Sequence, residues 1–466
     1  PTVESVITEG SASITGVTAE EATKLARQIN AGALPFQLTT KNFRTISPTL
    51  GASSLDAMMI AGVIAFILIA LFMILVFRLT GDSSEFARTN RMLELLDRFH
   101  GTVTGIFTAD ECLNGKSPIQ GTELCAVTEM MYSLEHLTAA SGDGAYADRL
   151  ELLAFNALPA TISPDMWTHQ YDQQVNQIAC VTMQNAPFST NSGESNLFGL
   201  EPNFGCCTAN MHQGWPKFAM STMLRGDGSV FIASYAPNRV TASPEGVPVE
   251  IEVAGSYPFR LEADIIVRVQ KAAEFTLLLH IPGWADSARV TCGAESLAMG
   301  GTSPFPIRRV WEKETVLHVS FSASPKFEGR PDGLAALRRG PLVYALEIGE
   351  RWEQVHTDVP GREFPHCDYE IHPTTPWAYG FAAGAIRVEE TPVGDCPFSP
   401  QGAPVSLLVP CAPVQWESAD GCAAPLPASR TAIGAVEEKR FLPFGCTNLR
   451  MTELPVLSAG TDGFPG

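Results

Sequence analysis

From Ala57 to Phe77 the chain reads AMMIAGVIAFILIALFMILVF, a run without a single charge. About 20 consecutive apolar residues span a bilayer as a helix, whereas a core helix of that length normally shows a polar face. The run predicts a transmembrane helix over 57–79, and its internal position argues against a cleavable leader. It also divides the chain into a short piece, 1–56, and a much longer one from about Ser84. Arg78, Arg88 and Arg91 follow the run and Lys41 and Arg44 precede it. That slight excess places the C-terminal side in the cytoplasm and the first piece outside it.

Within the first piece, Thr18-Ala-Glu-Glu21 is a capping box opening a helix through Asn30, and Ala31-Gly-Ala-Leu-Pro35 is its stop signal. Together with Ile14-Thr15-Gly16 and Ser47-Pro-Thr-Leu-Gly51 just ahead of the span, these residues resemble the protein-export membrane subunit SecD over roughly 1–79. After Arg78 the resemblance ends.

The longer piece begins helical. Arg91 to Phe99 and Glu123 to Ala139 have helical periodicity, the second with Leu124, Val127, Met131 and Leu134 on one stripe. Ala145 to Leu158 and Gly214 to Leu224 are weaker helical candidates. Between them, Thr168 to Asn203 is rich in Asn, Gln and Ser, the composition of a site-forming loop. Beyond Gly226 the period becomes two: Pro248–Val253, Ala263–Val269, Phe275–Ile281 and Thr315–Phe321 are short strands divided by Gly/Pro turns, which predicts a β-sandwich that Leu342–Leu346 continues. From about Glu350 the chain is Pro-, Gly- and Cys-rich, and a smaller β or loop-rich domain is expected over 350–466.

The formal charge of −19 disfavours nucleic acid and anionic lipid surfaces, both of which require clustered Lys and Arg. Eleven cysteines, an odd number without regular spacing, argue against a disulfide scaffold and for a reducing compartment. Cys112, Cys180, Cys292, Cys367, Cys396, Cys411, Cys422 and Cys446 are expected to be small buried hydrophobes.

The remaining three stand in a pattern. Cys206 and Cys207 are adjacent, and Glu123-Leu-Cys125 lies upstream. Three thiols and a carboxylate make one tetrahedral zinc site. On a regular helix, residues two apart point about 200° away from each other, so Glu123 and Cys125 share an ion only where the chain is extended or a helix begins. The preceding Gln120-Gly-Thr122 supplies such a break, and Gly205 offers irregular backbone freedom to the cysteine pair. Glu111, in Thr-Ala-Asp-Glu-Cys-Leu, is a second carboxylate in a polar loop. Glycoside hydrolysis needs a carboxylic acid to protonate the leaving oxygen, and either Glu111 or its neighbour Asp110 meets that need on sequence grounds.

These residues lie in blocks: Phe99-His-Gly101, Gly105-Ile-Phe-Thr-Ala-Asp-Glu111, Gln120-Gly-Thr-Glu-Leu-Cys125, Trp167-Thr-His-Gln-Tyr-Asp172, Gly205-Cys-Cys207, Tyr257-Pro-Phe259, Ile281-Pro-Gly-Trp284, Arg339-Gly-Pro-Leu342 and Pro443-Phe-Gly-Cys446. In this order they resemble glycoside hydrolase family 127, which includes β-L-arabinofuranosidases, over roughly 84–460. The resemblance implies a retaining hydrolase of an L-arabinofuranoside-like carbohydrate. It implies Glu123, Cys125, Cys206 and Cys207 as zinc ligands, Cys206 also as nucleophile, and Glu111 as acid and then base. His100, Trp167, His169, Gln170, Tyr171, Asn176, His212 and Trp215 are candidates to line the sugar pocket, since aromatic faces and amides suit a polyol. Two positions depart from the family pattern: Cys112 stands where a histidine is usual, and His280 where an arginine is usual.

The family resemblance also implies an (α/α)6 barrel followed by β-sandwich domains. Twelve helices of about 11 residues need on the order of 200 residues, but Ser84 to Gly226 provides 143. The expected fold is therefore multidomain α + β: a small α/β piece (1–56), one transmembrane helix, the C-terminal half of a barrel (84–226), a β-sandwich (227–349) and the C-terminal domain. The expected enzyme is cytoplasmic, anchored to a membrane if residues 57–77 insert, and weak, because half a barrel leaves the pocket incomplete. Two other readings stay open: a fragment of the export machinery, and a non-catalytic zinc module on a carbohydrate-binding sandwich.

Overall fold

A computed structural model describes residues 16–31, 84–199, 205–300 and 303–457. The chain divides into two units, Pro1–Ala87 and Arg88–Gly466. In the first, α1 (Ala19–Ala31) starts at the capping box. The Glu21 carboxylate accepts from Thr18 N at 3.0 Å, and Thr18 Oγ1 accepts from Glu21 N at 3.3 Å. The span expected at 57–79 lies outside the described residues. Among those described, no helix is long and apolar enough to cross a membrane.

Four further α-helices are described: α2 (Ser84–His100), α3 (Leu124–Ser141), α4 (Gly144–Leu152) and α5 (Gly205–Ser221). The α3 stripe is buried as its periodicity requires, and the helix ends at Gly142, whose φ of 69° lets its N–H bond Thr138 O at 2.8 Å. One residue on, Asp143 caps α4 by accepting from Ala145 N at 2.9 Å. Helix α4 passes into a π-turn at Leu153–Ala157 instead of continuing regularly to Leu158.

The helix expected over 214–224 begins nine residues earlier, at Gly205, and Met223–Gly226 is already a strand. Its buried residues Cys207, Gly214 and Phe218 recur at helical spacing. At Gly214 a Cβ would lie 2.7 Å from Leu158 Cδ2 and 3.4 Å from Thr128 Cγ2, so glycine there permits the close approach of α5 to α3.

The first part of the polar stretch 168–203 is buried. Residues 168–180 are buried throughout, and the backbone is stitched into three ladders: His169–Gln170 to Phe198–Gly199, Asp172–Gln173 to Thr122–Glu123, and Asn176–Gln177 to Arg450–Met451. Its amide side chains satisfy buried carbonyls: Gln170 donates to Asn196 O at 2.8 Å and Gln177 to Asn448 O at 2.7 Å. Amide richness here reflects a polar core.

The β-rich region beyond Ser221 holds two sheets in the segment expected to be a sandwich. One sheet has the strand order Glu295–Met299, Ser287–Cys292, Glu314–Ser322, Glu262–Val269, Val249–Gly255, Asn238–Ala242; the other runs Phe305–Trp311, Ala273–Leu279, Ser229–Ile232, Met223–Gly226. Burial alternates along the inner strands, with Ile251, Val253, Ile265, Val267, Phe275 and Leu277 inside. Leu342–Glu347, expected to continue this sandwich, pairs instead with Glu437–Pro443. It belongs to a ten-stranded sheet that begins at the edge strand Lys326–Gly329 and also recruits Asn176–Gln177. This sheet holds most of the strands that follow Ser322 and one pair from the helical segment.

Candidate metal centre

Thr122–Glu123 is the end of a short strand, and α3 starts at Leu124. Glu123 is extended, with φ −65° and ψ 137°, and its N–H bonds Ala109 O at 2.8 Å. Cys125 follows in the first helical turn, so the switch from strand to helix lets both side chains face one point. The cysteine pair also opens a helix. Successive residues on α5 differ by about 100°, which leaves Cys206 exposed and Cys207 buried against α3. Cys125 Sγ and Cys207 Sγ are 3.3 Å apart, and Cys206 Sγ is 4.0 Å from Glu123 Oε1. One ligand atom from each of Glu123, Cys125, Cys206 and Cys207 lies within 4.8 Å of all the others.

A tetrahedral ion with bonds of about 2.3 Å holds its ligands about 3.8 Å apart, so this donor set fits zinc in both spacing and softness. The local electrostatics agree. Hydrogen bonding from Cys207 lowers the Cys125 pKa, with Asn210 contributing, while Cys207 is pushed well up by the same contact and by burial. Cys206 is raised by desolvation and by its neighbour Cys125. Thiols that oppose one another's ionisation are the environment a divalent cation reverses, because ligating sulfur is deprotonated.

Glu111 has φ 68°, a left-handed conformation that few non-glycine residues adopt, and its side chain is exposed. Its Oε1 accepts from the Tyr171 hydroxyl at 2.9 Å. Burial, the Glu111 contact, and the charges of Glu123 and Cys206 all raise the Tyr171 pKa, so this phenol remains a donor among them. Asp110, equally eligible on sequence grounds, is fully buried and tethers the loop by accepting from Ser189 N. His100 Nδ1 accepts from Gly115 N at 2.9 Å and so pins the far side of the same loop.

The other pocket candidates are dispersed. His169 Nε2 meets Thr208 Oγ1 at 2.7 Å, directly after the cysteine pair, and burial lowers its pKa. His212 is exposed on α5. Gln170 and Asn176 are buried with their amides consumed by protein partners; Asn176 Nδ2 donates to Glu453 O, and its Oδ1 accepts from Thr452 N and Glu453 N, each at 2.9 Å. Trp167 donates to Pro365 O at 2.8 Å and stacks on His366, and Trp215 donates to Ala154 O and packs on Phe398. The polar groups of these four are bonded within the protein, and the Trp167 ring is exposed. Of the two departures, Cys112 approaches Asp110 Oδ1 at 3.5 Å, and His280 Nε2 meets Asp148 Oδ1 at 2.7 Å. Sequence reasoning missed Thr208 and Asn210, although their positions one turn into a helix beginning at Gly205 place them beside the sulfurs.

Two family models match the chain, together over more than half of it: the GH127 catalytic domain of β-L-arabinofuranosidase at residues 70–220 and the GH127 middle domain at 229–323. Over residues 70–323 the chain belongs to the GH127 family. A GH127 β-L-arabinofuranosidase of Geobacillus stearothermophilus T6 superposes with TM-score 0.57 at 19% identity, over 77% of this chain and 54% of that one. A second GH127 β-arabinofuranosidase gives 0.58 at 18%, over 81% and 57%. The GH127 chain described here thus spans about half the length of these solved structures. A short N-terminal region is also similar to SecD. The Dictyoglomus turgidum subunit is 48% identical over 88 residues, 19% of this chain and 22% of that protein, and the Alicyclobacillus acidocaldarius subunit is 43% identical over 90 residues, 19% and 21%.

Proposed function

We propose that this chain is a retaining glycoside hydrolase for L-arabinofuranosides, with Cys206 as nucleophile, Glu111 as acid and then base, and Glu123, Cys125, Cys206 and Cys207 as ligands of one zinc ion. The observation that carries the reading is the convergence of one carboxylate and three sulfurs within 4.8 Å, in a segment matched by a glycosidase catalytic domain. Zinc bound there supplies one thing: it keeps the thiols deprotonated, the form in which sulfur is nucleophilic.

The rest is the work of the chain's own residues. Cys206 is the exposed thiol of the pair, so its Sγ attacks the anomeric carbon. The glycosidic C–O bond breaks, and Glu111 gives its proton to the leaving oxygen. In the second half Glu111 takes a proton from water, the water oxygen bonds to the anomeric carbon, and Sγ departs with its electron pair. The Tyr171 hydroxyl orients the Glu111 carboxylate through both steps. Low turnover is expected, since four α-helices are described over 84–221, fewer than the twelve of the barrel that the resemblance implies. Residues 57–77 would attach the protein to a membrane, a reading that rests on their apolar sequence alone.

An assay with an L-arabinofuranoside tests the proposal. Cys206→Ser and Glu111→Gln should each abolish measurable release of arabinose. Unchanged release in both variants, with zinc still bound, contradicts the assigned roles.

A further inference from the structure

A polar row leads away from the cluster along the seam between α3 and α5. Asn210 stands three residues after Cys207 and four after Cys206, and Gln213 and Lys217 follow at one-turn intervals, so all three share the side of α5 that carries the sulfurs. Each is half-buried. Gln213 Nε2 donates to Asn210 Oδ1 at 2.6 Å and to Glu129 Oε1, on α3, at 3.3 Å. Lys217 Nζ donates to Gln213 Oε1 at 2.5 Å and lies 3.8 Å from the centre of the Tyr132 ring, also on α3. The ring face attracts the ammonium and holds it there.

The chemistry of these groups fixes the direction of every bond. An ammonium has donors and no acceptor, and a carboxylate only accepts, so the Gln213 oxygen must face Lys217 and its NH2 group must face Glu129 and Asn210. Asn210 consequently turns its oxygen to Gln213 and keeps its NH2 group for the cluster. There it bonds Cys125, and it follows Cys207 among the contacts that lower that thiol's pKa. Four anionic ligands around one divalent ion leave two negative charges in excess at a partly buried point. An amide donor aimed at a ligating sulfur offsets that excess, whereas an acceptor aimed there would add to it.

We propose that Lys217, Gln213 and Asn210 are positioning residues: a hydrogen-bond relay of fixed sense that delivers a donor to Cys125 and sets how tightly the cluster retains zinc. The inference rests on the zinc reading of the cluster. Competition of the full chain with a chromophoric zinc chelator tests it, alongside urea unfolding of the metal-free chain. Asn210→Asp puts an acceptor in place of the donor, and Gln213→Leu cuts the relay. Each should weaken zinc binding by about 10- to 100-fold, with the metal-free urea midpoint little changed. Lys217→Met should weaken it by a smaller factor, and Lys217→Arg, which also carries donors only, should restore it. Zinc held as tightly by Asn210→Asp and Gln213→Leu as by the unsubstituted chain, or a loss of affinity matched by a loss of metal-free stability, overturns the relay and leaves the zinc site standing. A chain that binds no zinc in any form overturns both.

Discussion

Cys206 and Cys207 are neighbours in sequence on opposite sides of a surface: the first is exposed and the second is buried against α3. Alkylation should therefore proceed in a fixed order. Limited iodoacetamide treatment of the folded chain should label Cys206 before Cys207, read by peptide mass mapping, and arabinose release should fall in step with the Cys206 label.

The bond from the Tyr171 hydroxyl to Glu111 holds a carboxylate whose backbone is already strained. Tyr171→Phe removes the donor and keeps the ring. Turnover should fall by roughly tenfold, with global stability altered by only about 1 kcal/mol. Parallel kinetic and denaturant measurements separate the two effects.

Asn176 ties the helical segment to the C-terminal sheet through three hydrogen bonds of 2.9 Å. Asn176→Ala leaves buried backbone groups unpaired and should cost about 2–4 kcal/mol in urea unfolding. A pocket residue would instead alter KM in the folded protein.

Glu151 is buried between α4 and the sandwich, bonded at 2.5 Å by Ser234 Oγ and by the Tyr257 hydroxyl. Desolvation raises its pKa from 4.5 to about 7. The folded state thus binds a proton more tightly than the unfolded state, so the associated stability is complete below about pH 4.5 and is lost as pH rises through 7. The effect is at most about 3 kcal/mol. Thermal unfolding of Glu151→Gln should lose that component of the decline between pH 5 and 8, giving a flatter profile than the unsubstituted chain.

Much of this was legible in the sequence, and the rest was hidden for identifiable reasons. Period-two patterning located the sandwich strands because one face of each is buried, and the Thr18 box located α1. The start of helix α5 is not legible because its first turn, Gly-Cys-Cys-Thr, has no apolar stripe, and its buried residues 207, 214 and 218 are small or widely spaced. Leu342–Glu347 was assigned to the wrong sheet because alternation reveals a strand but not its partner. The burial of 168–180 is not legible in sequence, because the carbonyls that Gln170, Asn176 and Gln177 satisfy lie on other segments. At the site, the Glu123, Cys125, Cys206 and Cys207 cluster was readable from residue type, whereas the contacts of Thr208 and Asn210 and the Tyr171–Glu111 bond depended on chain segments far apart in sequence.

The central claim is one zinc ion held by Glu123, Cys125, Cys206 and Cys207. Elemental analysis of the full chain, purified with zinc and then exchanged into metal-free buffer, tests it most directly. The account predicts one zinc per chain, falling to a small fraction in Cys125→Ser and Cys207→Ser with helical content retained. A chain that holds no zinc, or the same zinc in both variants, would contradict it.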